Sequence, residues 1–335
     1  MKVKLLYCSI VLLLHFAHLD ALGFIKVAVR NTQYARLNTQ YDFIVAQDGS
    51  GNFQTVQEAL NAVPDFRKVT TTIFIKNGTY KEKLNLSASK QMVTLIGESV
   101  EKTILTYDDY SKKKNIFGEE KGTSGSSSFY VYGPQFTAEN ITFQNSSGPV
   151  GQAVALFVAG DKARFINCRM LGFQDTLYTY GYGSRQYYYK CYIEGTVDFI
   201  FGSSTAVFDQ CEVFGKKAGY YTAASTPDST KYGYVFIDSK IHGDAPEASF
   251  YLGRPWRPFA KTVFINCDLG KQVKPEGWHN WNKPDAEKTS FYAEYKSKGI
   301  GANDKSRVKW VHQLTEKEVK ENFTLEKIFN GWKPF

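Results

Sequence analysis

Histidine is scarce in this 335-residue chain, with five in all. His15 falls within the N-terminal apolar run and His18 just after it. The remaining three, His242, His279 and His312, sit in no G-x-S-x-G or H-E-x-x-H frame, so serine-triad and zinc-hydrolase chemistries lack their sequence signature. Cysteine is as thin. Beyond Cys8 there are Cys168, Cys191, Cys211 and Cys267, none with CxxC spacing, which speaks against zinc and against a disulfide-stapled scaffold. One bridge between neighbouring positions stays open. The glycine-rich stretches "GSGNF" (49–53) and "GTSGS" (122–126) lack the lysine and strand–helix context of a phosphate loop. Lysines 112–114 lie in a mixed-charge loop without interleaved aromatics, unlike a nucleic-acid surface. After residue 17 no apolar run is long enough to span a bilayer.

What is present is aromatic and aliphatic. The chain is 43% hydrophobic and 16% aromatic, enough for a large core. Lys2 and Lys4 precede the apolar run Leu5 to Ala17, and "ALG" (21–23) offers small residues for cleavage. This reads as a secretory signal peptide over 1–23, leaving one domain over 24–335 and placing the protein outside the cell. A first buried strand or an uncleaved anchor is the alternative. Cleavage would remove two lysines and one aspartate, taking the formal net charge from +8 to +7. That excess favours an acidic partner, whether nucleic acid, anionic polysaccharide or membrane surface, or is merely a solvated basic surface. Asn-x-Ser/Thr acceptor sites occur at Asn77, Asn85, Asn140, Asn145 and Asn322.

A repeat runs through the middle. "FINCRM" (165–170), "YYKCYI" (188–193), "FDQCEV" (208–213), "FIDSKI" (236–241) and "FINCDL" (264–269) share one template, with "FTAENI" (136–141) as a weaker copy. Short β-type runs at a period of about 20–30 residues predict a parallel β-helix, an all-β solenoid whose equivalent positions stack about 4.8 Å apart. A β-sandwich or propeller is the rival, but gives no reason for a cysteine position to recur one coil apart. "FQTVQEALNAVP" (53–64) carries Phe53, Val56, Ala59, Leu60 and Val63 on one helical face, and is expected to cap the solenoid's N-terminal end. A second helical stretch is expected over 314–329, and residues 108–128 read as a long loop overhanging a site.

The repeat also brings carboxylates together. Asp175 in "FQDTLY" interrupts an apolar strand, and Asp198 in "TVDFIF" repeats it 23 residues on. The same interval separates Gln152 from Asp175. If 23 residues make one coil, Gln152, Asp175 and Asp198 stack on three rungs. Two carboxylates so close cannot both ionise freely, which prepares one acid and one base or nucleophile. Arg254 in "LGRPW" could hold one of them ionised. A structural pair or a Ca²⁺ site are the alternatives, though calcium usually wants six or more oxygens. The spacing favours catalysis.

These motifs resemble the pectin methylesterase (pectinesterase) family. The resemblance runs from "DGSGNFQTVQEAL" through "GTYKEKL", "QAVAL", "GFQDTLY", "GTVDFIFG", "YLGRPW" and "PEGWHNW" to "NGW". It implies a right-handed parallel β-helix with short capping helices, and hydrolysis of galacturonate methyl esters in pectin with release of methanol. By motif it implies Asp198 as nucleophile and Asp175 as general acid, then base. Gln152 and Gln174 would stabilise the oxyanion, and Arg254 would orient Asp198. Tyr178, Phe201, Trp256 and Trp278 are implied as sugar-stacking residues. It implies no metal, no cofactor, no nucleic-acid or membrane partner, a monomer, and a partner in methyl-esterified homogalacturonan. The chain resembles a short form without the inhibitor-like N-terminal region, and its "KKKNIFGEE" loop is more similar to bacterial-type members. The rivals are a β-helix lyase or glycosidase, which would shorten the polymer, and an inactive carbohydrate-binding solenoid.

Overall fold

The computed structural model describes residues 40–335; the expected signal peptide and the expected start of the domain at residue 24 lie outside them. A compact unit runs from Phe43 to Phe335. It is built on three sheets, of eleven, seven and eight strands, in which all pairing is parallel and each strand inside a sheet pairs with the equivalent strands of the coils before and after. This is a right-handed parallel β-helix, the crossover hand that twisted parallel strands favour.

The repeat is the inner ladder of this solenoid. Phe165, Tyr188, Phe208, Phe236 and Phe264 are register partners on successive coils of the eleven-stranded sheet. Their rings stack with centroids 4.9, 4.8, 4.5 and 4.5 Å apart. The weaker copy is displaced: Ala138, not Phe136, pairs with Phe165. Ala138 supplies no ring, so the template drifted to the nearest aromatic. Two residues after each ladder position the chain turns a tight corner. There Asn140, Asn167, Lys190, Gln210, Asp238, Asn266 and Lys296 adopt left-handed φ between 48° and 56°. Asparagine and aspartate tolerate that region best, which explains their recurrence in the repeat. The next residue points inward. Cys168, Cys191, Cys211 and Cys267 are all free there, each thiol donating to a carbonyl of the preceding coil at 3.4–3.7 Å, with Ser239 doing the same in the remaining coil. The disulfide left open by the sequence is therefore absent among the described residues.

The ends differ from expectation in one respect. The N-terminal helix, Val56–Ala62, carries a capping box between Thr55 and Glu58 and buries Val56, Ala59 and Leu60 on the first coil. The C-terminal stretch instead forms two short helices, Glu316–Asn322 and Leu325–Ile328, because Thr324 starts a new cap. They lie on the outer face of the eleven-stranded sheet, where Tyr187, Val207, Val235 and Val263 cluster with Ile328 and Phe329. That face is apolar and would otherwise be exposed. Asn145, one of the five acceptor sites, is buried and its amide donates to Asp109, Ser126 and Val154 carbonyls, so it cannot carry a glycan in the folded chain.

Candidate active site

The seven-stranded sheet presents the site. Leu177–Thr179 and Ile200–Gly202 are paired strands with Leu177 opposite Ile200. Asp175 and Asp198 each stand two residues ahead of these partners, so they occupy equivalent positions on adjacent rungs, about 4.8 Å apart. Both adopt left-handed backbone, at φ 64° and 53°. That kink turns each carboxylate out of the apolar run instead of into the core. The third rung is not as the interval suggested. Gln152 bridges Gln174, not Asp175, because the segment Gln152–Leu156 has one residue more than Gln174–Leu177. The two glutamines are thus rung partners, and so are the two aspartates.

Each aspartate has its own surroundings. Asp198 is 6% exposed and receives a fork from Arg254: Nε donates to Oδ1 at 2.8 Å and Nη2 to Oδ2 at 2.7 Å. The guanidinium lies between the rings of Tyr220 and Trp281, 3.8 and 3.7 Å from their centroids. Gly253 makes this arm possible, since a Cβ there would sit 2.1 Å from Thr222 Oγ1. Burial pushes the Asp198 carboxyl above its ordinary value, and Arg254 pulls it back by hydrogen bonds and charge. Asp175 is 7% exposed and has no such partner among the described residues. Burial first, then repulsion from Asp198, hold it well above the carboxylate range, with Arg254 opposing through space. The proton of the pair therefore resides on Asp175.

Aromatic walls flank the pair. Tyr178 stacks on Phe201 at 4.2 Å, and Trp256 meets both rings edge-on at 6.2 and 5.8 Å. Tyr178 and Phe201 are register partners, with Phe157 one coil below. Lys121, Gly122, Thr123 and Ser124 of the long loop also line the cleft, as expected of residues 108–128. The cleft measures about 520 Å³.

Of the sequence-derived residues, Gln152, Gln174, Asp175, Asp198, Arg254, Tyr178, Phe201 and Trp256 converge here; Trp278 does not. It is 1% exposed, stacked on Tyr292 at 4.3 Å, with its indole N–H on Glu294 Oε1 at 3.3 Å. Trp278 bridges the strand residue Gly253 and faces the core. Three residues on, Trp281 lines the cleft. His279 Nδ1 accepts from the Trp281 N–H at 3.0 Å, and burial and Arg254 lower the His279 pKa, so the imidazole is a neutral prop. The motif "PEGWHNW" holds both tryptophans, and nothing in it says which one turns outward. Among the described residues no group of three or more His, Cys, Asp or Glu is placed to hold a metal ion, and no helix is long and apolar enough to cross a membrane.

A buried acid, a forked carboxylate and two amides on one aromatic cleft suit acyl transfer from a saccharide ester. The model of the family described as Pectinesterase matches residues 42–332. Pectinesterase 31 of Arabidopsis thaliana is 39% identical over 82% of this chain and 88% of its own length. The chain spans 48–60% of several other plant relatives. Among solved structures, pectin methylesterase from carrot superposes with a TM-score of 0.80 at 32% identity, covering 88% of this chain and 94% of that one. A pectin methylesterase solved in complex with a hexasaccharide gives 0.78 at 30% identity, covering 89% and 99%.

Proposed function

Because the chain belongs to the pectinesterase family, we propose that it demethylesterifies galacturonate methyl esters of pectin through Asp198 and Asp175. The observation that carries this reading is the unequal pair: one carboxylate gripped by Arg254, its neighbour one rung away buried without a cation of its own.

Asp198, kept anionic by the fork, attacks the ester carbonyl carbon. The carbonyl oxygen becomes an oxyanion, to which the amide N–H groups of Gln152 and Gln174 donate at no cost in protonation. As the tetrahedral adduct collapses, Asp175 gives its proton to the departing methoxy oxygen and methanol leaves. An anhydride joins Asp198 to the galacturonate carbonyl, so one hard step becomes two. Asp175, now a carboxylate, takes a proton from water as that water attacks the anhydride. Collapse returns Asp198 as carboxylate, galacturonate as free acid and Asp175 protonated. Tyr178, Phe201 and Trp256 offer flat faces for sugar rings on either side of the ester. Residues 1–23 support action outside the cell.

The test is methanol release from esterified pectin with polymer length followed in parallel. Methanol without chain shortening is expected. Shortening would favour a lyase or glycosidase, and neither product would favour a binding solenoid.

A further inference from the structure

The two oxyanion amides are not equally held. Gln152 Oε1 accepts from the hydroxyl of Ser111 at 2.9 Å. Among the described residues nothing comparable holds the Gln174 amide. Ser111 is 8% exposed and sits 41 residues before Gln152 in the chain, at the root of the long loop. Its backbone N–H donates to the Gln152 carbonyl at 2.9 Å, and its own carbonyl accepts from Gly122 N–H at 2.9 Å. Ser111 is therefore gripped by the main chain on both sides. Its hydroxyl meets the glutamine side chain from a fixed position.

From this geometry we infer that Ser111 is a positioning residue for the reaction, setting the Gln152 amide with its carbonyl end turned away and its N–H end toward the cleft. A primary amide has one accepting and one donating end. With Oε1 engaged by Ser111, the two N–H bonds of Nε2 face the cleft that Gln152 lines. A free glutamine has to give up rotamer freedom before it can donate. Orientation also matters in sign, because an inverted amide would face the oxyanion with its own oxygen. The hydrogen bond places that choice in the ground state, before charge develops.

The loop makes the arrangement firm. Two residues before Ser111, Asp109 has a fully buried side chain that ion-pairs with Lys83 at 2.5 Å, Lys113 at 3.0 Å and Lys121. Lys121 and Gly122 then form the cleft wall. One segment thus orders both the wall and the amide.

The inference rests on the esterase reading, and a double-mutant cycle separates the two. Initial rates of methanol release are measured for Ser111→Ala, Ser111→Thr, Gln152→Ala, Gln174→Ala and the doubles Ser111→Ala/Gln152→Ala and Ser111→Ala/Gln174→Ala. Ser111→Ala is expected to lower kcat about tenfold, less than the roughly 10²- to 10³-fold of losing an oxyanion donor outright because the amide itself remains, with KM within about twofold. Ser111→Thr, which retains the hydroxyl, should recover most of it. In the Gln152→Ala background Ser111→Ala should remove nothing more, whereas with Gln174→Ala the losses should multiply. Equal loss in both backgrounds would mean a general effect on the loop and would overturn the inference, as would a Ser111→Ala kcat within twofold of the parent. If Gln152→Ala itself leaves kcat intact, the oxyanion role falls and Ser111 falls with it.

Discussion

Asp175 is an acid buried on the left-handed turn ahead of the strand Leu177–Thr179, and its cost and its use have the same origin. Burial disfavours the anion, so its folded-state pKa is raised well above the ordinary carboxylate value. Stability linked to such a group is complete below the ordinary value and is lost as pH rises toward the raised one. Asparagine has no proton to lose. Asp175→Asn is therefore expected to cut kcat by about 10²- to 10⁴-fold. It should also melt no lower than the parent at neutral pH, its relative stability growing between acid and neutral melts. Near-normal methanol release from the folded variant would make the carboxylate structural. Arg254 poses the converse case. Lysine would keep a charge but lose both the fork to Asp198 and the stack between Tyr220 and Trp281. The Asp198 pKa would then climb, and the acid limb of the kcat/KM profile for Arg254→Lys should move up by about one pH unit. An unmoved limb would show that Asp198 does not set it.

At the scale of the element, the long loop 108–128 depends on one buried anion. Burial alone would raise the Asp109 pKa, yet hydrogen bonds from Lys121, Lys83 and Lys113 take it down to about 2. The linked stability is present above the ordinary carboxylate value and is lost as pH falls through the folded value. Asp109→Asn should leave Lys83 and Lys121 without their counter-charge, Lys113 keeping Asp108, and cost about 1.5–3 kcal/mol, the usual worth of charged hydrogen bonds. The loop is expected to become the first site cut by trypsin, at Lys112–Lys114, in limited digestion at neutral pH. In the parent the same sensitivity should appear only in strong acid, read with pepsin. Equal digestion rates for parent and variant would detach Asp109 from the loop's order. The tight corners are the other local device. They recur because two residues must turn the chain from one sheet to the next, and one of them is left-handed.

At the largest scale, the unit from Phe43 to Phe335 is a stack of coils with a column of rings in its core. Phe208 lies mid-column between Tyr188 and Phe236 and is fully buried. Phe208→Ala is expected to cost about 3–5 kcal/mol in denaturant unfolding, since neighbouring coils cannot collapse into the gap without breaking register. The global charge acts further out. With an excess of basic residues, partly de-esterified pectin should be captured more weakly as ionic strength screens the attraction, so KM should rise with salt at near-constant kcat. A flat KM would leave the basic surface uninvolved.

The solenoid was legible because its coils repeat. An aromatic, a left-handed polar residue and a small inward residue recur at "FINC" and its copies, each dictated by local sterics and stacking. Asp175 and Asp198 were legible for the same reason, as a polar pair recurring at one coil's length inside an apolar pattern. Where the copy was imperfect, inference slipped. The displaced weak repeat at Ala138 and the extra residue after Gln152 both changed register, and register is decided by which strands pair, not by spacing. Only the tertiary structure could tell Trp281 from Trp278, because a turn between them exchanges core for cleft. Only it could bring Tyr220, Lys121 and Ser111 to the site, or lay the C-terminal helices on the outer sheet. Those contacts join segments tens of residues apart whose sequences carry no common pattern; they exist because stacked coils place them side by side.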